Sequence, residues 1–267
     1  MYKHTQRLDE QRAQSLADPD VLKRFYALIA HQIHLYRIQP SQLFNCDEKG
    51  IIMGRATAHT KGIVDATAGR RRRHYARGNS NRESATALKT ISAAGTVLPP
   101  FFVLNGARHS VGWYTDLAEE EATFAVQANA TMDIELGMAY MADHFDKYSA
   151  TVASGSRGYR MLIVDGHKSH MSWQVVQYCL DHRIRLLCLP PHSTHELQPL
   201  DVGVFSSLQG YYGDAVNDWI YEHDTGGRDK IRKVEFLHLY LQARKKAFTP
   251  ECIRQAFRST GIYPLNP

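Results

Sequence analysis

No apolar run in these 267 residues approaches the roughly 20 that a membrane-spanning helix needs, so no membrane partner is expected. The opening residues, Met1-Tyr2-Lys3-His4-Thr5-Gln6-Arg7, lack the apolar stretch of a secretory signal. Cysteine is scarce: Cys46, Cys179, Cys188 and Cys252 show no C-x-x-C pairing. That argues against a disulfide framework and a thiolate zinc knot. It leaves buried free thiols in a reducing compartment, the cytosol or nucleus. Glycine-rich phosphate cradles and the nucleophile elbow of serine hydrolases are also missing, which removes P-loop, dinucleotide-binding and α/β-hydrolase chemistry from the first rank.

Charge of one sign is missing locally. From Arg55 to Arg82 the bases Arg55, Lys61, Arg70, Arg71, Arg72, Arg73, Arg77 and Arg82 face the single acid Asp65. From Asp116 to Asp146 there is no Lys or Arg at all. The net charge of +5 is therefore concentrated in one block. Such a block suits a polyanion, and nucleic acid is the expected partner, with Arg70, Arg71, Arg72, Arg73, Arg77 and Arg82 as candidate contacts. A solvated loop or a localisation signal is the plainer alternative.

With 43% hydrophobic residues the chain can bury a substantial core. Asp18-Pro19 caps a helix whose apolar residues, Leu22 to Tyr36, recur at helical spacing. Leu43 to Glu48 reads as a buried strand that Ile51-Ile52-Met53 extends past Gly50. Ser84–Ala93 and Thr96–Leu104 form a hairpin around Ala94-Gly95. Residues 105–138 read as irregular. Helices are expected at Met138–Ala150, Ser172–His182, Leu200–Tyr221, Lys233–Ala247 and Pro250–Ser259. Strands are expected at Tyr159–Val164 and Ile184–Leu189. This order predicts an α/β fold, a mixed sheet with helices on its faces.

Acids interrupt the apolar runs at three places. Asp165 ends Met161-Leu162-Ile163-Val164, Asp201 precedes Val202-Gly203-Val204-Phe205, and Asp47-Glu48 closes Leu43-Phe44-Asn45-Cys46. Carboxylates in such settings are costly unless they bind something. Three that converge suit divalent cations and phosphoryl transfer, since Mg²⁺ keeps most of its waters and needs few protein ligands. Strand ends and helix caps carry Asp for structural reasons as often. Glu48 reads as a turn cap or an outer acceptor, and His167 and His170 as groups that support Asp165. The spacing of His167, His170, His192 and His195 offers a rival, a zinc-stabilised interaction domain.

The segments Leu162–His170, Leu187–His195 and Gln198–Phe205 together resemble the DDE superfamily endonuclease domain of pogo-like (Tc1/mariner group) transposases, fungal type. Asn45-Cys46-Asp47-Glu48-Lys49-Gly50, Asn81-Arg82-Glu83, Leu98-Pro99-Pro100 and the ending Thr260–Pro267 extend the resemblance over about residues 8 to 267. It implies an RNase H-like fold, with Mg²⁺ or Mn²⁺ in a two-metal site held by Asp47, Asp165 and Asp201. It implies cutting of transposon ends and joining of the freed 3′-hydroxyl to target DNA, in the nucleus, by a chain that forms a homodimer. On this reading residues 1–17 are a connector from a DNA-binding region absent here, and 18–267 are the endonuclease domain. A domesticated or immobilised DNA-binding protein without transposition activity is the alternative.

Overall fold

The computed structural model describes residues 19–53, 83–113, 122–153, 158–223 and 231–267. The connector 1–17 and the arginines Arg70–Arg73, Arg77 and Arg82 lie outside the described residues. The first element is α1 (Pro19–Tyr36), with proline at its first position and Asp20 in its first turn. A single 3₁₀ turn (Pro40–Gln42) delivers the chain into β1 (Leu43–Ile52). Two antiparallel strands follow, β2 (Ser84–Ser92) and β3 (Phe101–Asn105), then β4 (Thr123–Gln127). A helical run comes next: α2 (Ile134–Ala139), a π-helical segment (Tyr140–Phe145) and α3 (Asp146–Val152). Strand β5 (Arg160–Val164), helix α4 (Trp173–Asp181) and strand β6 (Ile184–Cys188) form a β-α-β unit. The chain ends in the short α5 (Thr194–Leu197), a π-helical turn (Leu200–Val204), α6 (Phe205–Glu222), α7 (Lys233–Ala247) and α8 (Pro250–Ser259).

The strands form one mixed sheet in the order β4-β3-β2-β1-β5-β6. β1 pairs antiparallel with β2 and parallel with β5, so it sits at the centre. Side chains alternate across it. Leu43 and Ile51 join the core packed by α1, α6, α7 and α8, which includes Ile29, Phe205, Tyr240 and Phe257. Phe44 and Cys46 join the opposite core with Tyr140, Phe145, Val175 and Cys179. Helices thus cover both faces, as the sequence predicts. The fully buried Lys89, opposite Asp47 in the register, lays its ammonium 4.5 Å from the Tyr240 ring centroid and 4.8 Å from that of Phe102.

Three expectations need correction. The second hairpin strand begins at Phe101, because Pro99 and Pro100 lack the N–H groups a ladder requires; only an isolated Ile91–Val97 bridge precedes them. The region 105–138, read as irregular, contains β4, a half-buried edge strand parallel to β3. Asp47 lies in the middle of β1 rather than at its end, since the strand runs unbroken through Gly50.

Candidate active site

Asp47 and Asn45 share the face of β1 that looks toward α5 and the π-helical turn. Asn45 acts as a three-way tie. Its Nδ2 donates to Ile163 O on β5 at 3.1 Å and to Gln198 Oε1 at 3.3 Å, and its Oδ1 accepts from Leu200 N at 3.2 Å. Gln198 in turn donates from Nε2 to Cys46 O at 3.4 Å. Both amides are fully buried, so their bonds fix β1, β5 and the entry to the π-helical turn relative to one another. Asp201 is the second residue of that turn and is exposed. Gly203, in the same turn, lies against α8 so closely that an added Cβ would stand 2.6 Å from Ala256 Cβ.

Asp47 is 8% exposed. Burial and then the charge of Asp201 push its carboxyl up to about 7, with Asp165 adding to the rise; hydrogen bonds from Gln198 and the Glu48 N–H pull the other way. The Glu48 N–H donates to Asp47 Oδ1 at 2.8 Å. Two of the three sequence-selected carboxylates thus act on the third despite their separation along the chain.

Asp165 leaves β5 at its carboxyl end. Burial tends to raise its pKa, but hydrogen bonds from His170 and the His167 N–H outweigh it and hold the carboxyl below its ordinary value. Both bonds, each 3.1 Å, fall on Oδ1. His170 is 4% exposed, and its Nε2 stands 3.2 Å from Glu48 Oε1. Burial lowers the imidazole pKa, yet Asp165 and Glu48 raise it to about 9. With a carboxylate oxygen 3.1 Å from Nδ1 and another 3.2 Å from Nε2, the charged form of the ring is favoured; Nδ1 bonds to Asp165, and Nε2 faces Glu48 as an ion pair. Ser169 adds a bond from Oγ to Glu48 Oε1 at 3.3 Å and accompanies His167 Nδ1 at 2.7 Å. Glu48 is therefore an acceptor behind the site, on the face of β1 opposite Asp47.

Among the described residues, no group of three or more His, Cys, Asp or Glu side chains is drawn tightly enough together to enclose a metal ion as it stands. The structure gathers His167 and His170 but gives the His170 ring to Asp165 and Glu48 and the His167 ring to Ser169, while His195 Nε2 faces Glu196 at 4.0 Å. The donors that press on one another are carboxylates, and three hard oxygen donors whose charges raise a pKa fit a hard divalent cation in character. The roles of Asn45 and Gln198 were missed from sequence. Their signal is a buried amide beside an acid in an otherwise apolar run.

A mixed six-stranded sheet covered by helices on both faces, with β1 at its centre, is a fold of the RNase H-like class. The profile of the DDE superfamily endonuclease family matches residues 81–257, and the chain belongs to that family. The Mos1 transposase, in its paired-end complex with the left transposon end, shares the fold: TM-score 0.51 at 14% identity, covering 98% of this chain and 67% of that one. A protein of Cochliobolus lunatus named MFS-type transporter clz9 is 36% identical over 232 residues, 87% of this chain. The chain spans 24% of the length of that relative.

Proposed function

We propose that this endonuclease domain cuts DNA phosphodiesters and joins the freed 3′-hydroxyl to target DNA, as a transposase of the pogo-like Tc1/mariner group. The observation that carries the reading is the convergence of charge at Asp47, where Asp201 and Asp165 act on a buried carboxyl. Asp47, Asp165 and Asp201 are the residues that would hold Mg²⁺ or Mn²⁺. Bound there, the cations would activate the attacking oxygen and stabilise the leaving oxygen of the phosphodiester. Asp47 contributes a rigid ligand, fixed by β1 and its bond from Glu48 N. Asp165 contributes Oδ2, since its two hydrogen bonds occupy Oδ1. Asp201 would complete the trio from its exposed turn.

The arginines Arg70–Arg73, Arg77 and Arg82 supply phosphate contacts for transposon-end and target DNA. Residues 18–267 form the catalytic domain and 1–17 lead into it. The protein works as a homodimer in the nucleus, where its substrate is. The transporter name of the Cochliobolus lunatus relative is not carried over. The match covers 24% of that protein, and no described helix is long and apolar enough to cross a membrane.

Joining is tested with a labelled duplex bearing a free 3′-hydroxyl, incubated with supercoiled plasmid and Mg²⁺ or Mn²⁺. Label transferred to plasmid supports strand transfer. Nicking of the plasmid without transfer reduces the reading to a nuclease, and neither product removes it.

A further inference from the structure

We infer that His170, anchored by Glu48, is a positioning residue that holds Asp165 turned toward Asp47; the inference rests on the cation-binding role proposed for the three aspartates. Successive residues of β1 face opposite sides of the sheet. Asp47 faces the π-helical turn, and Glu48 faces the loop between β5 and α4. His170 spans from Asp165 Oδ1 at 3.1 Å to Glu48 Oε1 at 3.2 Å. It therefore ties the end of β5 to the back of β1, behind the residue it serves.

The loop that carries His170 is fixed in its turn by close packing on α2. A Cβ at Gly137 would stand 2.1 Å from Ser169 O, so only glycine lets the helix approach this far. Ser172 caps α4 by accepting from Val175 N at 3.3 Å, which fixes the other end of the loop. The need for such a tie is electrostatic. Three carboxylates around one point repel, and the partly exposed Asp165 would relieve the repulsion by rotating outward. Bonding Oδ1 to an anchored ring blocks that rotation and leaves Oδ2 for a cation. Groups that orient metal ligands in this way typically contribute 10–100-fold in metal affinity.

The test is Mn²⁺ binding by the full chain, followed as loss of the free-ion electron paramagnetic resonance signal. Thermal unfolding of each variant is recorded alongside. The variants are Asp165→Asn, His170→Ala, His170→Asn and His170→Gln. An asparagine amide nitrogen takes the place of Nδ1 and still donates to Asp165. A glutamine amide takes the place of Nε2 and reaches Glu48 instead. Wild type should bind Mn²⁺, Asp165→Asn should not, and His170→Ala should bind roughly 10–100-fold more weakly. His170→Asn should recover part of that loss and His170→Gln none. If His170→Ala does not fold, the Asn and Gln variants decide alone. Equal affinity in the two, or affinity of either His170 variant equal to wild type, overturns the positioning role while leaving the aspartate site standing. Identical Mn²⁺ binding by wild type and Asp165→Asn overturns both.

Discussion

A carboxyl group buried beside two others keeps its proton to unusually high pH, and Asp47 is that group here. Its folded pKa of about 7 lies above the unfolded 3.8. Between those values the native state holds a proton that the unfolded chain has released, so this residue's contribution to stability falls as pH rises through the window. Asp47→Asn removes the penalty. In metal-free buffer, the advantage of Asp47→Asn over wild type should grow from pH 4 to pH 7 by up to about 4 kcal/mol, then level off. Urea unfolding at several pH values measures it, and parallel curves would show that Asp47 is not strained. Asp201→Asn removes one of the charges acting on Asp47. Its metal-free stability should equal or exceed wild type; Mn²⁺ should raise the melting temperature of the wild type and leave that of the variant unchanged. A variant that still gains stability from Mn²⁺ would take Asp201 out of the site. Asp47, Asp165 and Asp201 could be picked from sequence because an acid is conspicuous in an apolar run. The His170–Glu48 tie could not, because it depends on which face of β1 each residue occupies and on a loop 121 residues away.

At the scale of elements, those with chemical punctuation were legible. Thr249 before Pro250 predicts α8, and its Oγ1 accepts from Cys252 N at 3.2 Å; Ser172 predicts α4 in the same way. What lacked punctuation was missed. Thr123–Gln127 is half buried throughout, without an alternating pattern, and pairs in parallel with β3 rather than through a hairpin. Neither π-helical segment has a residue code, since tertiary packing creates them. The one over Leu200–Val204 matters most, because it sets Asp201. Its position is enforced by Gly203, whose absent side chain admits Ala256 of α8. Gly203→Ala should destabilise the fold by about 1–3 kcal/mol through overpacking. Adding Ala256→Gly should restore part of that loss, so the double-mutant cycle should show a favourable coupling between the two positions. Additive effects would mean that the turn is not wedged against α8.

At the scale of the whole molecule, the arginine block and the three aspartates occupy different parts of the sequence. The arginine block around Arg70–Arg73 lies in the interval between β1 and β2, the two strands that pair at the sheet centre, close in sequence to the strand that carries Asp47. Duplex binding should weaken steeply with salt. Replacing all four arginines by Ala should flatten the logarithmic slope by up to roughly four units, at about 0.9 per phosphate contact. An unchanged slope would make the run a solvated loop or an import signal.

Three aspartates, from β1, from the end of β5 and from the turn before α6, are proposed to form one cation-dependent phosphodiester-cleaving site. The decisive measurement is nicking of supercoiled plasmid in Mn²⁺ by wild type, Asp47→Asn, Asp165→Ala and Asp201→Asn, each shown to be folded. Wild type should nick the plasmid in a way that chelation abolishes, and nicking should fall to background in each of the three variants. Wild-type activity that survives in any one of them, or that persists without a divalent cation, would contradict the three-aspartate site.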